Sequence, residues 1–542
     1  MNKEISNILD MVKSSDIDGA YKKAKILFKE KKNDLGVVKA LVYVCIQKTR
    51  YQEVINVLED FFKNRHLQKD FDYYNNLGLA YLKIEEFEKA KINLFAAHNL
   101  NSSMPNINGN LAELYIKFRN FEEADKYLNN CLSKIFDIDK KYISQYTNIF
   151  LLKIQVAAAL GNNQKIVNLF REILQLTFNE DIFYLLATVD PNCITNELLK
   201  TAEQKINENS IKFSNKLSRF YYIVPLYFGL GLYYSKRDKN ISENYFHLAN
   251  KETFNNIRYD SFSYQKKILK LIDFYEKNEL DRVPNFSRQG KNNIFIVGSP
   301  RSGTTLLESI VAANDDVFSA GELISAGDLI STNLDNFEND IGAFQINFCE
   351  TYLRRVDYLR GDYKFCTDKL PENFLYIGHI LNFLPEAKII RIFRHPWDTA
   401  ISLYKQRYLM NIPFSASFFN IGVFMANFEA INLYWNKKIQ NKSNILDIRY
   451  EELVSEKEDN QKKIYSFLKF TSKYQESKRE AFFSSTASIQ QVQGSVHKSS
   501  IGKKEFEDRK NEFYDSINMQ RDFWVSKGIV EKQEDFFGYA LD

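Results

Sequence analysis

Two stretches of this chain pair anion-binding residue types at chemically useful spacings. The first is Ser299-Pro300-Arg301-Ser302-Gly303-Thr304-Thr305, preceded by the apolar run Ile294-Phe295-Ile296-Val297-Gly298 and followed by Leu306-Leu307. A β-branched strand, a tight Gly/Pro turn and an amphipathic helix in that order imply a loop whose main-chain N–H groups hold a phosphate at the positive end of a helix dipole. Gly298 and Gly303 suit the special backbone angles and close approach that such a loop requires. The glycine spacing is that of the nucleotide P-loop, but Thr304 stands where that loop needs its lysine. Arg301 supplies a charged fork instead, and Thr304 and Thr305 supply hydroxyl donors. That set suits one terminal phosphate better than a triphosphate with magnesium. The second stretch runs Arg391-Ile392-Phe393-Arg394-His395-Pro396-Trp397-Asp398-Thr399-Ala400-Ile401-Ser402. A strand ending in Arg394 enters a helix after Pro396, and Ser402 lies two turns along it, so a guanidinium and a hydroxyl can converge on one anion.

Together, in this order and on these element types, the two stretches resemble the sulfotransferases. In that family Pro-Arg-Ser-Gly-Thr-Thr holds the 5′-phosphate of 3′-phosphoadenosine 5′-phosphosulfate, and an arginine and a serine eight residues apart bind its 3′-phosphate. The resemblance implies Ser299, Arg301, Ser302, Gly303, Thr304, Thr305, Arg394 and Ser402 as cofactor-binding residues. It also implies that Tyr450, after the strand end Asp447-Ile448-Arg449, contacts the nucleotide near its 3′-phosphate or adenine; a core tyrosine is the rival reading.

Sulfuryl transfer to a hydroxyl needs a base, stabilisation of charge on the bridging oxygen and in-line positioning, and needs no metal. In the tyrosylprotein sulfotransferase-like branch a Gly-Glu pair supplies the base, and Gly321-Glu322 preserves it. Lys369, in Thr367-Asp368-Lys369-Leu370-Pro371, takes the family's charge-stabilising lysine role, with Arg301 as partner; Asp368 is a candidate salt-bridge partner. Cytosolic sulfotransferases use a histidine base, but His379 and His395 fall outside the acceptor segment, leaving His497 as the C-terminal candidate. In that C-terminal segment, Ser488 is assigned to the bridging oxygen and Lys498 or Lys503 to the 3′-phosphate. Relatives often carry an arginine near Gln493 and an Arg-Trp pair after Gly502, where this chain has Lys503-Lys504.

These residues must be positioned by a chain of 542 residues, more than one hydrophobic core usually organises. Its 44% hydrophobic and 26% charged content is that of a globular protein. With 73 basic and 69 acidic residues, a formal charge of +4 gives no reason to expect nucleic acid as a partner. Five scattered cysteines indicate neither a disulfide framework nor a zinc site. Without a recognisable leader in the first residues, a reducing, cytoplasmic location is expected. The apolar run Phe220 to Tyr234 is 15 residues with Pro225 inside it, so a packed helix and no transmembrane segment is expected.

The first half repeats itself: Leu77, Gly78, Tyr81, Ala90, Leu94 and Ala97 recur 34 positions later as Leu111, Ala112, Tyr115, Ala124, Leu128 and Cys131. This is the tetratricopeptide helix-turn-helix period, with weaker copies around Tyr21-Ala24-Phe28, Leu41 to Leu58 and Leu230 to Ala249. Tyr73, Tyr74, Asn75, Asn76, Asn108, Asn110 and Glu113 are candidates to line a groove. Irregular helical repeats are expected between 140 and 215, a last helix over 251–285, and a linker from Pro284 to Asn292. Strand-like runs at 363–367, 387–393 and 443–449 separated by helical segments imply a mainly parallel sheet in the second half.

The expected architecture is thus multidomain: an all-α tetratricopeptide repeat array over 1–285, then an α/β P-loop-like sulfotransferase domain over 286–542. The resemblance, to bacterial-type tetratricopeptide repeat-containing sulfotransferases, spans nearly the whole chain. It implies 3′-phosphoadenosine 5′-phosphosulfate as co-substrate and a hydroxyl-bearing acceptor, such as a protein or peptide tyrosine held by the repeats. The alternatives are a repeat-based interaction protein with an inactive nucleotide domain, and a P-loop kinase or ATPase.

Overall fold

The computed structural model describes residues 3–14, 16–63, 69–136, 146–176, 178–212, 216–278, 289–334, 340–408, 412–439, 442–479, 501–532 and 536–537. Two compact units emerge: Met1–Leu152 with Asp357–Leu359, and Lys153–Val356 with Arg360–Asp542. This division does not coincide with the 285/286 boundary expected from sequence. Helices before residue 285 bond side chains into the α/β part: Asn250 Nδ2 donates to Tyr404 O at 2.8 Å, and Tyr434 Oη donates to Glu276 at 2.9 Å.

In the first unit, helices alternate as the 34-residue period requires, with Phe71–Lys83 and Phe87–Leu100 followed by Pro105–Lys117 and Phe121–Phe136. The large repeat positions Leu94, Leu111 and Leu128 are fully buried and Leu77 nearly so. The small positions are where helices touch: a Cβ on Gly78 would lie 2.7 Å from Leu94 Cγ. Weaker copies also form helix pairs, Ile17–Glu30 after Lys3–Lys13 and Tyr51–Lys63 after Leu35–Gln47. Two of the polar residues expected on a groove belong to the interior. Tyr73 and Asn108 are buried, the latter donating to Ser102 O and Met104 O at 2.9 and 3.0 Å. Asn75 and Asn110 instead pair with each other at 2.9 Å, and Lys83 donates to Glu113 at 2.5 Å.

The second unit begins with irregular helices, among them Glu180–Val189, Lys239–Asn256 and Ser261–Lys277. The apolar run 220–234 is not one helix. It divides at Ile223 between Lys216–Tyr222 and Val224–Tyr234, with Pro225 accommodated in the first turn of the second, where its missing N–H is not needed. Among the described residues no helix is long and apolar enough to cross a membrane. The expected linker lies mostly outside the described residues.

Five parallel strands follow: β1 (Asn293–Gly298), β2 (Val317–Ser319), β3 (Phe365–Asp368), β4 (Lys388–Phe393) and β5 (Ile445–Arg449), in the order β2-β3-β1-β4-β5. β2 was not expected; only three residues long, it is held by pairing Val317 to Phe365 and Ser319 to Thr367. The central β1 runs between β3 and β4, so the loop after it sits where the strand order reverses, the crevice in which open parallel sheets bind ligands. One sheet face buries Ile294, Ile296, Ile390 and Ile392 against Leu307, Ile310 and Val311 of the helix Thr304–Ala312. On the other, Phe295 stacks on Tyr352 of the helix Ile341–Arg360 at 5.6 Å.

Candidate active site

Register brings Gly298 opposite Ile392 and Phe393 opposite Arg449, so the segments that follow β1, β4 and β5 leave the sheet at one edge. After β1 the backbone turns through Arg301 at φ 69° and Gly303 at φ 103° into the helix Thr304–Ala312. Gly303 has two reasons to be glycine: its left-handed φ, and Tyr450, whose Cδ2 would lie 2.4 Å from an added Cβ. At Gly298 a Cβ would lie 2.6 Å from Ile392 O, so any larger residue would push β4 away. Ser302 Oγ is buried without a hydrogen bond among the described residues. A loop with left-handed turns and a buried spare hydroxyl at a helix N-terminus has the chemistry of an anion cradle.

Residues from β4 and its helix close on this loop. Arg301 Nε donates to Ser402 Oγ at 3.1 Å, and Arg394 Nη1 donates to Arg301 O at 2.8 Å. Arg394 is buried, its guanidinium 4.6 Å from the centroid of the Tyr450 ring. Burial pulls its pKa below the ordinary arginine value and Arg301 acts in the same direction, opposed by Tyr450, Asp398 and Glu451. Arg301, Arg394 and Ser402 thus bring donors from two segments to one place, a set suited to receive an anion. Tyr450, 9% exposed, belongs to the apolar cluster beside Ile392 and Ile448, with its ring engaged by Gly303 and Arg394. It forms the floor of the arginine's site, an arrangement closer to the core-tyrosine alternative than to an open stacking platform.

Asp398, buried in the helix Pro396–Tyr404, accepts from Gly502 N at 2.9 Å and Lys503 N at 2.8 Å. It thereby fixes Lys503 in the neighbourhood of Arg394, Lys405 and Arg301, and burial with these cations draws the Lys503 ammonium down to about 7. His395 N donates to Glu451 Oε1 at 2.9 Å, and His395 lines a cleft of about 620 Å³ with Trp397, Arg449, Lys503, Lys504 and Lys510. Ser488, Gln493, His497 and Lys498 lie outside the described residues.

On the acceptor side, Lys369 Nζ donates to Glu322 Oε1 at 2.6 Å, the lysine side chain 9% exposed and the glutamate 58%. Asp368 accepts from Tyr352 Oη at 2.9 Å and from Asn373 Nδ2 at 3.2 Å. Lys369 N also donates to Gly321 O at 2.8 Å, tying the segment after β3 to the turn that carries Glu322. His379, far from this pair in character, is fully buried against Phe274, Tyr275 and Trp435, which drives its pKa down to about 3.

Several participants were missed in the sequence. Glu308, buried in the loop helix, accepts from Ser319 Oγ, Gly321 N and Thr367 Oγ1 at 2.7, 3.2 and 2.8 Å. Its signal was a carboxylate inside the apolar run Leu306-Leu307-Glu308-Ser309-Ile310-Val311. Tyr408, six residues beyond Ser402, feels the charges of Arg301 and Glu322, while burial pushes its hydroxyl up to about 12. Tyr184, on the helix Glu180–Val189, receives a hydrogen bond from Gln406 Nε2 at 3.1 Å, with Arg407 over its ring at 5.3 Å and Asp181 beside it paired to Arg407 at 2.8 Å. No local pattern connects residue 184 with residue 407.

Residues 293–474, which contain the anion loop, Glu322, Lys369, Arg394, Ser402 and Tyr450, match the family described as the sulfotransferase family. The match lies wholly within the α/β half of the chain. A protein of Aquifex aeolicus (strain VF5), described only as uncharacterized, is 25% identical over 379 residues, 64% of this chain and 48% of its own length; the chain thus spans about half of that curated relative. Among solved structures, the chain is similar to the sulfotransferase domain of the Synechococcus PCC 7002 olefin synthase (18% identity, 44% of this chain and 97% of that one, TM-score 0.30). It is also similar to a tetratricopeptide repeat protein from Parabacteroides merdae (14% identity, 47% and 93%, TM-score 0.30).

Proposed function

We propose that this protein is a sulfotransferase that moves a sulfuryl group from 3′-phosphoadenosine 5′-phosphosulfate to an acceptor hydroxyl. The observation that carries the reading is the buried Arg394, bonded to the backbone of a lysine-free anion loop whose Arg301 meets Ser402. The donor fits the residues present: the loop Ser299 to Thr305 would hold the 5′-phosphate, and Arg394, Ser402 and Lys503 the 3′-phosphate. Tyr450 supports that pocket from beneath. When bound, the donor supplies the sulfuryl group.

Glu322 takes the proton from the acceptor oxygen as that oxygen attacks. Lys369 and Arg301 face the charge that builds on the leaving side. An ammonium has three N–H donors, so Lys369 can keep Glu322 on one and direct another at a bridging oxygen. The Gly321-Glu322 pair and the helical repeats support a protein or peptide tyrosine as the acceptor. The ³⁵S-labelled donor with a tyrosine peptide and a simple phenol as probe acceptors tests the assignment of the base. Glu322→Gln is expected to lose turnover by roughly 100-fold or more while still binding adenosine 3′,5′-bisphosphate. Unchanged turnover in that variant would remove Glu322 from the mechanism.

A further inference from the structure

The helix that presents the anion loop also carries a carboxylate that the transfer chemistry does not use. Glu308 lies one helical turn past Thr304, 1% exposed, and its Oε1 gathers donors from three places: Ser319 at the end of β2, the amide of Gly321, and Thr367 in β3. Such convergence on one oxygen holds the side chain in place, because a buried carboxyl group is tolerated only when hydrogen bonds compensate its lost hydration. Each donor leads to the acceptor side. Gly321, in the left-handed region at φ 69°, immediately precedes Glu322, and its carbonyl accepts from Lys369 N. Thr367 stands two residues before Lys369, and Thr367 O accepts from Ala320 N at 3.3 Å.

We infer that Glu308 is a positioning residue: it ties the donor-binding helix to the Gly321 turn and β3, and so sets where Glu322 and Lys369 stand relative to the anion loop. This rests on the sulfotransferase reading for its catalytic consequence, but the tie itself is a property of the fold. Removing the carboxylate frees the turn while leaving the loop, Arg394 and Ser402 in place, because among the described residues the carboxylate bonds to Ser319, Gly321 and Thr367.

The test compares Glu308→Ala, Glu308→Gln and Glu308→Asp in the full chain. Amide exchange is expected to rise at least about 10-fold in the 317–323 peptide of Glu308→Ala, with the β1 and β4 peptides unchanged. Adenosine 3′,5′-bisphosphate should bind within about twofold of wild type, while turnover of labelled donor on a phenol probe falls on the order of 10- to 100-fold in kcat with little change in KM. Glu308→Gln keeps an accepting oxygen at the same reach and should recover most of the protection and rate; Glu308→Asp, one methylene shorter, should not. Wild-type exchange at 317–323 in Glu308→Ala would overturn the inference, as would a loss of protection spread evenly over the sheet. If wild type itself fails to bind the bisphosphate, the enzyme reading and the catalytic consequence fall together, while the exchange data still decide whether the tie exists.

Discussion

Raising the pH should weaken binding of adenosine 3′,5′-bisphosphate through Lys503. Asp398 holds the Lys503 backbone beside Arg394, and burial among cations brings the ammonium down to about 7. A bound 3′-phosphate would oppose those cations and return the lysine toward its ordinary value of about 10.4, so binding above neutrality must be accompanied by proton uptake. Below about pH 7 the lysine is already charged and nothing is taken up. Near pH 8 roughly nine-tenths of the free protein must acquire a proton, and affinity should fall by up to about 10-fold per pH unit between about pH 7 and 9. The phosphate itself, with its last ionisation near pH 6, contributes little in that window. Calorimetry at about pH 8 in two buffers of different ionisation enthalpy reads the uptake directly. Roughly 0.9 proton taken up by wild type and close to none by Lys503→Met is the expected pair of values. No uptake in wild type, or the same uptake in Lys503→Met, would refute the reasoning.

Two further outcomes follow from packing. Gly303→Ala places a Cβ against the Tyr450 ring at φ 103°; it should cost about 1–3 kcal/mol in denaturant-measured stability and abolish bisphosphate binding through distortion of the loop. His379, held near 3 by burial, gives an acid-dependent stability. Its folded value lies below the unfolded one of about 6.5, so the unfolded chain binds the extra proton and stability is lost as pH falls from about 6.5 toward 3, by up to about 1.4 kcal/mol per unit. Urea unfolding of wild type and His379→Phe across that range should show a shallower acid slope in the variant.

What could be read from the sequence and what could not differ by the range of the interaction. The anion loop, Arg394 with Ser402, and the 34-residue repeat are patterns of fixed spacing along one chain segment, so residue types alone expose them. The strand β2 left no pattern because three residues pair only through β3. Glu308 carries its meaning in partners 11, 13 and 59 residues away. Tyr450 shows the limit at a single residue: an aromatic after a strand end suits a stacked base and a core equally, and only its contacts with Gly303 and Arg394 distinguish them. The division of the units at residue 152 is likewise tertiary, since contacts such as Arg407 to Asp181 attach helices of repeat-like sequence to the α/β part.

The central claim is that the edge of this sheet is built for a nucleotide with phosphates at both ends of its ribose. Titrating adenosine 3′,5′-bisphosphate by calorimetry into wild type and Arg394→Ala addresses it most directly. The account predicts saturable one-to-one binding by wild type, weakened on the order of 100-fold or more when the buried guanidinium is removed. Absence of binding by wild type, or equal binding by Arg394→Ala, would contradict it.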